Sequence, residues 1–311
     1  MSDDRLKSTL HSMREDWDRR ARENARYFVA TLRSDWTDED FFASGEQELY
    51  HSILTDMGNV SQGQDPATMR VLEIGCGAGR VTRALARVFG EVHAVDVSGE
   101  MIARAREALA GLPNAFVYQN NGMDLSVVPD LPFDFAFSVI VFQHIPSRSV
   151  IENYFREISR LLRPGALFKV QVHGLPEILK PKPQPEPEPV APAAPVPAPE
   201  PEPAPPGKLP LRWRLTGKIP LPIRKRFLRP IRRWMLSIPP AAACPPEPGP
   251  ALEPVPPPPP PAESYFAEPD TWVGIMFTPE YAQAVCDNSG FELRHQVGAG
   301  GQEYWLWCFK K

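Results

Sequence analysis

The stretch Val71-Leu72-Glu73-Ile74-Gly75-Cys76-Gly77-Ala78-Gly79-Arg80 decides the fold of this chain. Its apolar start predicts a buried strand, its alternating glycines predict a tight turn, and the apolar spacing from Val81 onward predicts a helix. A second apolar run, 92–95, follows and ends in Asp96. The order strand, glycine turn, helix, strand and acid is typical of a nucleotide-type site at the carboxyl edge of a parallel sheet.

The spacing of the glycines distinguishes between two kinds of ligand. In the dinucleotide fingerprint G-x-G-x-x-G a third glycine occupies the position at which this chain has Arg80. The carboxylate of Glu73 would repel a pyrophosphate but would favour a cation. S-adenosylmethionine carries sulfonium and ammonium charges and no phosphate. The loop therefore favours S-adenosylmethionine over a dinucleotide.

The segment from Glu73 to Gly79 resembles the first motif, E-x-G-x-G-x-G, of the class I S-adenosylmethionine-dependent methyltransferases. Further segments resemble the same family in the same order along the chain. They are its second strand and turn at 95–101, its adenine-binding turn at 121–125, its fourth strand and exit at 133–146, and its turn into the fifth strand at 161–166. The resemblance spans 70–175, with a tail at 271–311. It implies an α/β, Rossmann-like sheet that is mostly parallel, with an antiparallel last strand.

The resemblance also implies that the chain binds S-adenosyl-L-methionine. The glycines of the loop let the backbone approach the methionine and ribose portions, since glycine has no Cβ to clash. Glu73 either orders the loop or contacts the ammonium group. Asp96 either accepts hydrogen bonds from the ribose hydroxyls or makes a helix-capping contact near Ser98.

Two more residues have an open choice of role. Met101 packs on the adenine face or belongs to a helix core, and Asp124 accepts from the adenine amine or serves its own turn. The complete predicted cofactor-binding set is Glu73, Gly75, Cys76, Gly77, Gly79, Asp96, Val97, Met101, Met123, Asp124, Leu125, Val141 and Gln143.

His144 is the candidate catalytic residue, because it leaves the predicted fourth strand where the methyl donor is expected. It either acts as a general base or fixes the strand exit, and His173 after the fifth strand has the same two alternatives. The methyl donor is already activated, so a base is needed only where the attacking group is protonated. No metal site is predicted, because the four cysteines have no metal or redox spacing, and they are expected to be reduced, cytosolic thiols.

The distribution of proline divides the chain. Most of its 39 prolines fall in two tracts, 181–206 and 239–261, which predict extended polyproline spacers. Between them lies a basic island, 208–237, which has many Lys and Arg, no acidic residue, and apolar residues at helical spacing. The predicted domains are an N-terminal helical cap (1–60), a cofactor-binding core (61–178), a proline-rich insert (179–262) and a C-terminal completion of the core (263–311). The leading helices either cover the cofactor, as in similar methyltransferases, or only pack on the sheet.

These patterns predict a methyltransferase that acts on a small-molecule or lipid-like acceptor by in-line displacement. The basic island serves as a lid for the acceptor, as an interfacial helix on an anionic membrane, or as a site for a partner protein or nucleic acid. The net charge of −4 argues against general nucleic-acid binding. No signal core or bilayer-spanning run occurs, which predicts a cytoplasmic protein, peripheral to the membrane in the lipid alternative.

Two rival functions stay open at this point. One is a non-catalytic, cofactor-sensing scaffold whose basic insert binds a membrane or a partner. The other is a dinucleotide-dependent reductase.

Overall fold

The computed structural model describes residues 3–30, 33–176 and 274–311. The predicted proline-rich insert 179–262, including the basic island 208–237, lies outside the described residues. So do 263–273 of the predicted C-terminal segment, and Cys244.

A seven-stranded sheet forms the centre of the described fold, with strand order β3-β2-β1-β4-β5-β7-β6. Strands β1 to β5 pair in parallel, and β7 runs antiparallel between β5 and β6. The predicted Rossmann-like sheet with an antiparallel last strand is therefore confirmed. The strands are β1 (Arg70–Ile74), β2 (Glu91–Asp96), β3 (Ala115–Gln119), β4 (Phe133–Ser138), β5 (Leu162–Val172), β6 (Phe291–Val297) and β7 (Tyr304–Lys310).

The strand order places the ligand site. The chain builds outward from β1 through β2 to β3, then crosses back to place β4 on the other side of β1. The connections on the two sides of β1 and β4 therefore leave in opposite directions, which opens a crevice at the carboxyl ends of these two strands. The glycine loop after β1 and the exit of β4 both end in this crevice.

The helices pack on both faces of the sheet or precede it. They are α1 (Asp3–Val29), α2 (Asp38–Ser52), α3 (Met57–Ser61), α4 (Arg80–Leu85), α5 (Gly99–Ala108), α6 (Arg148–Leu161) and α7 (Pro279–Asn288). Short 3₁₀ turns occur at Leu54–Asp56, Pro66–Thr68 and Phe142–His144. None of the described helices is long and apolar enough to cross a bilayer.

Phenyl rings dominate the core on the α6 face of the sheet. Phe155 on α6 lies with its ring centroid 5.2 Å from that of Phe168 on β5, and Phe291 on β6 lies 5.9 Å from Phe168. All three side chains are fully buried. Such rings bury large apolar areas and so contribute strongly to stability.

On the opposite face, the buried Lys169 forms an ion pair with the half-buried Asp56. Lys169 on β5 donates to Asp56 Oδ2 at 2.8 Å, and Trp307 Nε1 on β7 donates to the same oxygen at 2.6 Å. Since Asp56 belongs to the turn before α3, this cluster fastens the segment that leads into the sheet to the sheet itself.

Helix α1 is fastened to the carboxyl edge of the sheet. Asp18 Oδ1 accepts from Ser98 Oγ at 2.5 Å and from the backbone N of Glu100 at 3.2 Å. Ser98 in turn caps α5, because its Oγ accepts from the backbone N of Met101. The helix bends at Asn24, where φ is −162° and ψ is 84°. Its final turn thus reaches the glycine loop.

Candidate cofactor and acceptor site

A cavity with an empty volume of about 900 Å³, including the part open to solvent, lies at the carboxyl ends of β1, β2 and β4. Strand ends and loops form its floor, and α1 contributes Met13, Trp17, Phe28 and Val29 to its wall. The predicted site residues that line it are Glu73, Gly75, Cys76, Gly77, Asp96, Val97, Met101, Val141 and His144.

The glycine loop is packed too tightly for any side chain at two of its positions. Gly75 has φ +77° and Gly77 has φ +52°. A Cβ on Gly75 would collide with the side chain of Val141, and one on Gly77 would lie 2.7 Å from Cγ2 of Val29. The loop therefore needs glycine both for its backbone conformation and for the close approach of the β4 exit and of α1.

Asp96 holds the loop in place from the end of β2. Its Oδ2 accepts from the backbone N of Gly77 at 2.9 Å, and its Oδ1 accepts from the backbone N of Ser98 at 2.9 Å. Burial raises the pKa of Asp96 above its usual value, although these hydrogen bonds oppose the shift. A carboxylate has about four acceptor positions, so both oxygens retain capacity for a ligand.

Glu73 is the most perturbed acid in the cavity. Only 3% of its surface is exposed, and its Oε2 has no hydrogen-bond partner. Burial raises its pKa to about 7, an effect that the side chain of Thr82 and the nearby Arg80 oppose and that Asp96 strengthens. A buried carboxyl oxygen without a partner is suited to a cationic or hydrogen-bond-donating group of a ligand.

Five predicted residues do not line the cavity. Gly79, with φ +81°, instead caps α4, and Leu125 is fully buried in the core. Asp124 is engaged in its own turn, where Oδ1 accepts from Ser126 and the hydrogen bond from Ser126 lowers its pKa. The residues outside the lining are Gly79, Met123, Asp124, Leu125 and Gln143. His173 also lies outside it, and burial lowers the pKa of that histidine.

Arg80, Asn120 and Tyr154 are polar residues of the cavity that the sequence did not predict as site residues. Asn120 follows β3, and its Nδ2 donates to Tyr154 Oη on α6 at 2.6 Å. Asn120 Oδ1 is buried without a hydrogen-bond partner, and burial raises the pKa of Tyr154. A polar residue directly after a strand was the available signal for Asn120. Tyr154 had no such signal, since it occupies the apolar face of a helix.

Two aromatic rings, those of Trp17 and His144, meet on one side of the cavity. The ring centroids of Trp17 and His144 lie 5.2 Å apart with an interplanar angle of 72°, an edge-on contact. His144 is 6% exposed, and its Nε2 lies 3.4 Å from Nε2 of Gln143. The structure thus brings the candidate base into contact with α1.

Within 3–30, 33–176 and 274–311, no three His, Cys, Asp or Glu side chains are grouped so that they could hold a metal ion. The described cysteines, Cys76, Cys286 and Cys308, are buried free thiols.

Residues 71–165 match the family model of the methyltransferase domain. Over this stretch, which contains the glycine loop, Asp96 and His144, the chain is similar to methyltransferase domains. The ubiquinone biosynthesis O-methyltransferase of Xanthomonas oryzae is 31% identical to it over 140 residues, which are 44% of this chain and 55% of that protein. The 2-methyl-6-phytyl-1,4-hydroquinone methyltransferase of Synechocystis is 32% identical over 106 residues, 34% of this chain and 32% of the relative.

The chain spans about half the length of the Xanthomonas relative. It spans about a third of the length of the Synechocystis relative. Among solved structures, the magnesium protoporphyrin IX methyltransferase of Synechocystis with bound S-adenosylhomocysteine covers 96% of this chain and 98% of its own. The TM-score is 0.49 and the identity 12%.

Proposed function

We propose that this protein transfers a methyl group from S-adenosyl-L-methionine to an apolar small molecule that carries an aromatic hydroxyl group. The observation that carries the proposal is the pairing of Asp96 with the loop at Gly77, beside the unpartnered carboxyl oxygen of Glu73, in one cavity. The match to the methyltransferase domain and the names of the two quinol-related relatives support the same reaction class.

The residues present fit this cofactor. Glu73 offers a buried acceptor for the ammonium group, and Asp96 offers its remaining acceptor positions to the ribose hydroxyls. Asn120 Oδ1 and the hydroxyl of Tyr154 offer a buried polar pair to the adenine base of the cofactor. When bound, S-adenosyl-L-methionine supplies a methyl group activated by a sulfonium centre.

Helix α1 excludes water from this site. Met13, Trp17, Phe28 and Val29 present apolar surface to the cavity from one side. Charged groups inside a closed, apolar wall interact more strongly than they do in water. The α1 side chains therefore strengthen the contacts of Glu73 and desolvate the acceptor hydroxyl.

We assign to His144 the removal of the proton from that hydroxyl. The amide nitrogen of Gln143 lies 3.4 Å from His144 Nε2, and the acceptor hydroxyl would replace this contact, because an unprotonated ring nitrogen has a single lone pair. A base is needed because a phenolic hydroxyl has a pKa of about 10 and is protonated at neutral pH. The edge contact with Trp17 holds the imidazole ring in position.

The described part of the C-terminal segment begins beside the exit of β4. The backbone N of Gly274 donates to Gln143 O at 2.7 Å, and that of Ile275 donates to Ile145 O at 3.0 Å. The backbone N of Phe277 donates to His173 O at 2.7 Å, after β5. A role of the insert in acceptor binding stays a prediction. The use of 208–237 on an anionic membrane stays a prediction, as do the proposed domain limits.

Titration calorimetry with S-adenosylhomocysteine and with NADH tests the cofactor. We expect saturable binding of S-adenosylhomocysteine, weakened at least about tenfold by Asp96→Asn, and no binding of NADH. The surface variant Asp130→Asn is the control, because the Asp130 side chain is 87% exposed. Saturation by NADH without heat from S-adenosylhomocysteine would refute the assignment.

Methyl transfer from labelled donor tests the reaction. Hexylhydroquinone is a suitable first acceptor, with a fractionated extract that includes lipids as the broader one. We expect label in the phenolic ether. A cofactor-sensing scaffold would bind S-adenosylhomocysteine and transfer no label to any fraction.

A further inference from the structure

Ile140 has a backbone conformation that its side chain disfavours. Among the residues described, it shares a positive φ with only one other non-glycine residue, Gln62, and its φ is +58°. A branched Cβ crowds the backbone in this left-handed region, which glycine and asparagine tolerate far better. Isoleucine in this conformation lowers the stability of the fold, so its side chain is expected to have a role that compensates this loss.

The surrounding structure imposes the conformation. The backbone N of Ile140 donates to Gln171 Oε1 on β5 at 3.0 Å, and the side chain of Gln171 is buried. The next residue, Val141, packs directly on Gly75 of the glycine loop. Ile140 is thus fixed from both sides at the carboxyl end of β4, in the crevice beside β1.

Contacts inside the protein do not explain why this position holds an isoleucine. It is 37% exposed, yet it lines the cavity. Gln62, in contrast, uses its side chain to donate to Gly165 O at 2.8 Å. The apolar atoms of Ile140 face the space that a ligand would fill.

The cofactor and the acceptor are expected to occupy different parts of the cavity. The polar groups suited to the cofactor are those of Glu73, which is buried at the end of β1, and of Asp96, which is half-buried at the end of β2. Ile140 lies at the open rim, on the same connection as His144. That connection is also the one to which Gly274 is hydrogen-bonded.

We propose that Ile140 is a specificity-determining residue that contacts the apolar substituent of the acceptor. This inference rests on the proposed function and adds to it the residue that selects an alkylated acceptor over a bare aromatic one. The strained backbone holds the side chain at the rim, where the acceptor enters.

The test uses the full chain saturated with S-adenosylhomocysteine, so that no turnover occurs. Calorimetry compares binding of hexylhydroquinone and hydroquinone to the unmodified protein, Ile140→Val and Ile140→Asn. Leu131→Asn is the matched control, because Leu131 is 38% exposed and lies outside the cavity. Urea denaturation reports the backbone effect independently of any ligand.

For Ile140→Asn we expect hexylhydroquinone to bind about tenfold more weakly, because the apolar contact is lost, with hydroquinone changed less than about twofold. The affinity for S-adenosylhomocysteine is expected to stay within about twofold, and the urea midpoint to stay equal or rise, since asparagine tolerates the positive φ. Ile140→Val is expected to bind like the unmodified protein. Leu131→Asn is expected to change neither affinity.

Equal weakening of both hydroquinones, unchanged binding of both, or a loss of S-adenosylhomocysteine affinity alone would overturn the role of Ile140. If the proposed function itself is wrong, the unmodified protein already fails to bind one of the ligands, so this failure is distinguishable from a failure of the role of Ile140. In the unmodified protein, no binding of S-adenosylhomocysteine refutes the cofactor. Binding of S-adenosylhomocysteine without hexylhydroquinone refutes the acceptor class and, with it, this role.

Discussion

Asp96 Oδ2 accepts a hydrogen bond from the backbone N of Gly77 at 2.9 Å, so the end of β2 fixes the glycine loop that follows β1. The second oxygen of Asp96 binds the backbone N of Ser98 at the start of α5. One half-buried carboxylate therefore joins two loops and a helix terminus on the cavity wall. Stability and ligand binding depend on the same side chain.

Replacement of Asp96 by Asn is expected to affect both properties. An amide group would face one of the two backbone N–H donors with a donor of its own, which costs about 1–3 kcal/mol of unfolding free energy. Urea denaturation measures this loss. Asp130→Asn, at the surface, is expected to stay within about 0.5 kcal/mol, and an Asp96→Asn protein as stable as the original would contradict the structure.

Glu73 predicts how stability varies with pH. The folded state keeps this proton up to about pH 7, whereas an unperturbed glutamate has a pKa of 4.5. Raising the pH through that window therefore destabilises the fold, by up to about 3 kcal/mol at about 1.4 kcal/mol per pKa unit. Glu73→Gln removes the ionisation, so its stability relative to the original protein is expected to grow from about pH 4.5 to about pH 7.

The same residue predicts the pH dependence of ligand binding. An ammonium group beside Glu73 favours the ionised carboxylate and lowers its pKa. Affinity for S-adenosylhomocysteine is therefore expected to fall as the pH drops below about 7, and Glu73→Gln is expected to bind weakly with a flatter profile. Calorimetry at several pH values measures both. A steep profile retained in Glu73→Gln would assign the titration to another group.

His144→Asn is expected to lower kcat about 100-fold or more with hexylhydroquinone, while S-adenosylhomocysteine binding is unchanged. The deficit is expected to shrink as the pH approaches about 10, since the acceptor hydroxyl then ionises without a base. Trp17→Phe serves as the matched variant. It retains an aromatic edge against His144, so its loss of kcat is expected to be smaller. A loss that is independent of pH would indicate a structural role for His144.

The Asp56–Lys169 pair predicts a purely structural effect. Burial acts to raise the pKa of Asp56, but the hydrogen bonds from Lys169 and Trp307 outweigh it and lower the pKa. Asp56→Ala leaves the buried Lys169 ammonium without its partner and is expected to cost about 3–5 kcal/mol. Lys169→Met combined with Asp56→Asn is expected to recover much of this loss. Ligand affinity of the folded fraction is expected to be unchanged.

Local sequence was sufficient for the framework of the site. Glycines at alternate positions after an apolar run, followed by an acid closing the next run, predicted the loop, the place of Asp96 and the sheet edge. These features depend on backbone freedom and on strand polarity, which a short stretch of sequence already contains. Asp124 shows the boundary of such reasoning, because its side chain bonds within its own turn and does not line the cavity.

The sequence by itself determined the order of strands and helices, the glycine loop, and the carboxylates that face it. Only the tertiary structure brought Trp17 against His144, paired Asn120 with Tyr154, and held Ile140 at positive φ. The reason is physical. Glycine and strand-end signals act over a few residues, whereas these contacts join segments far apart in the chain and depend on the direction that packing gives each side chain.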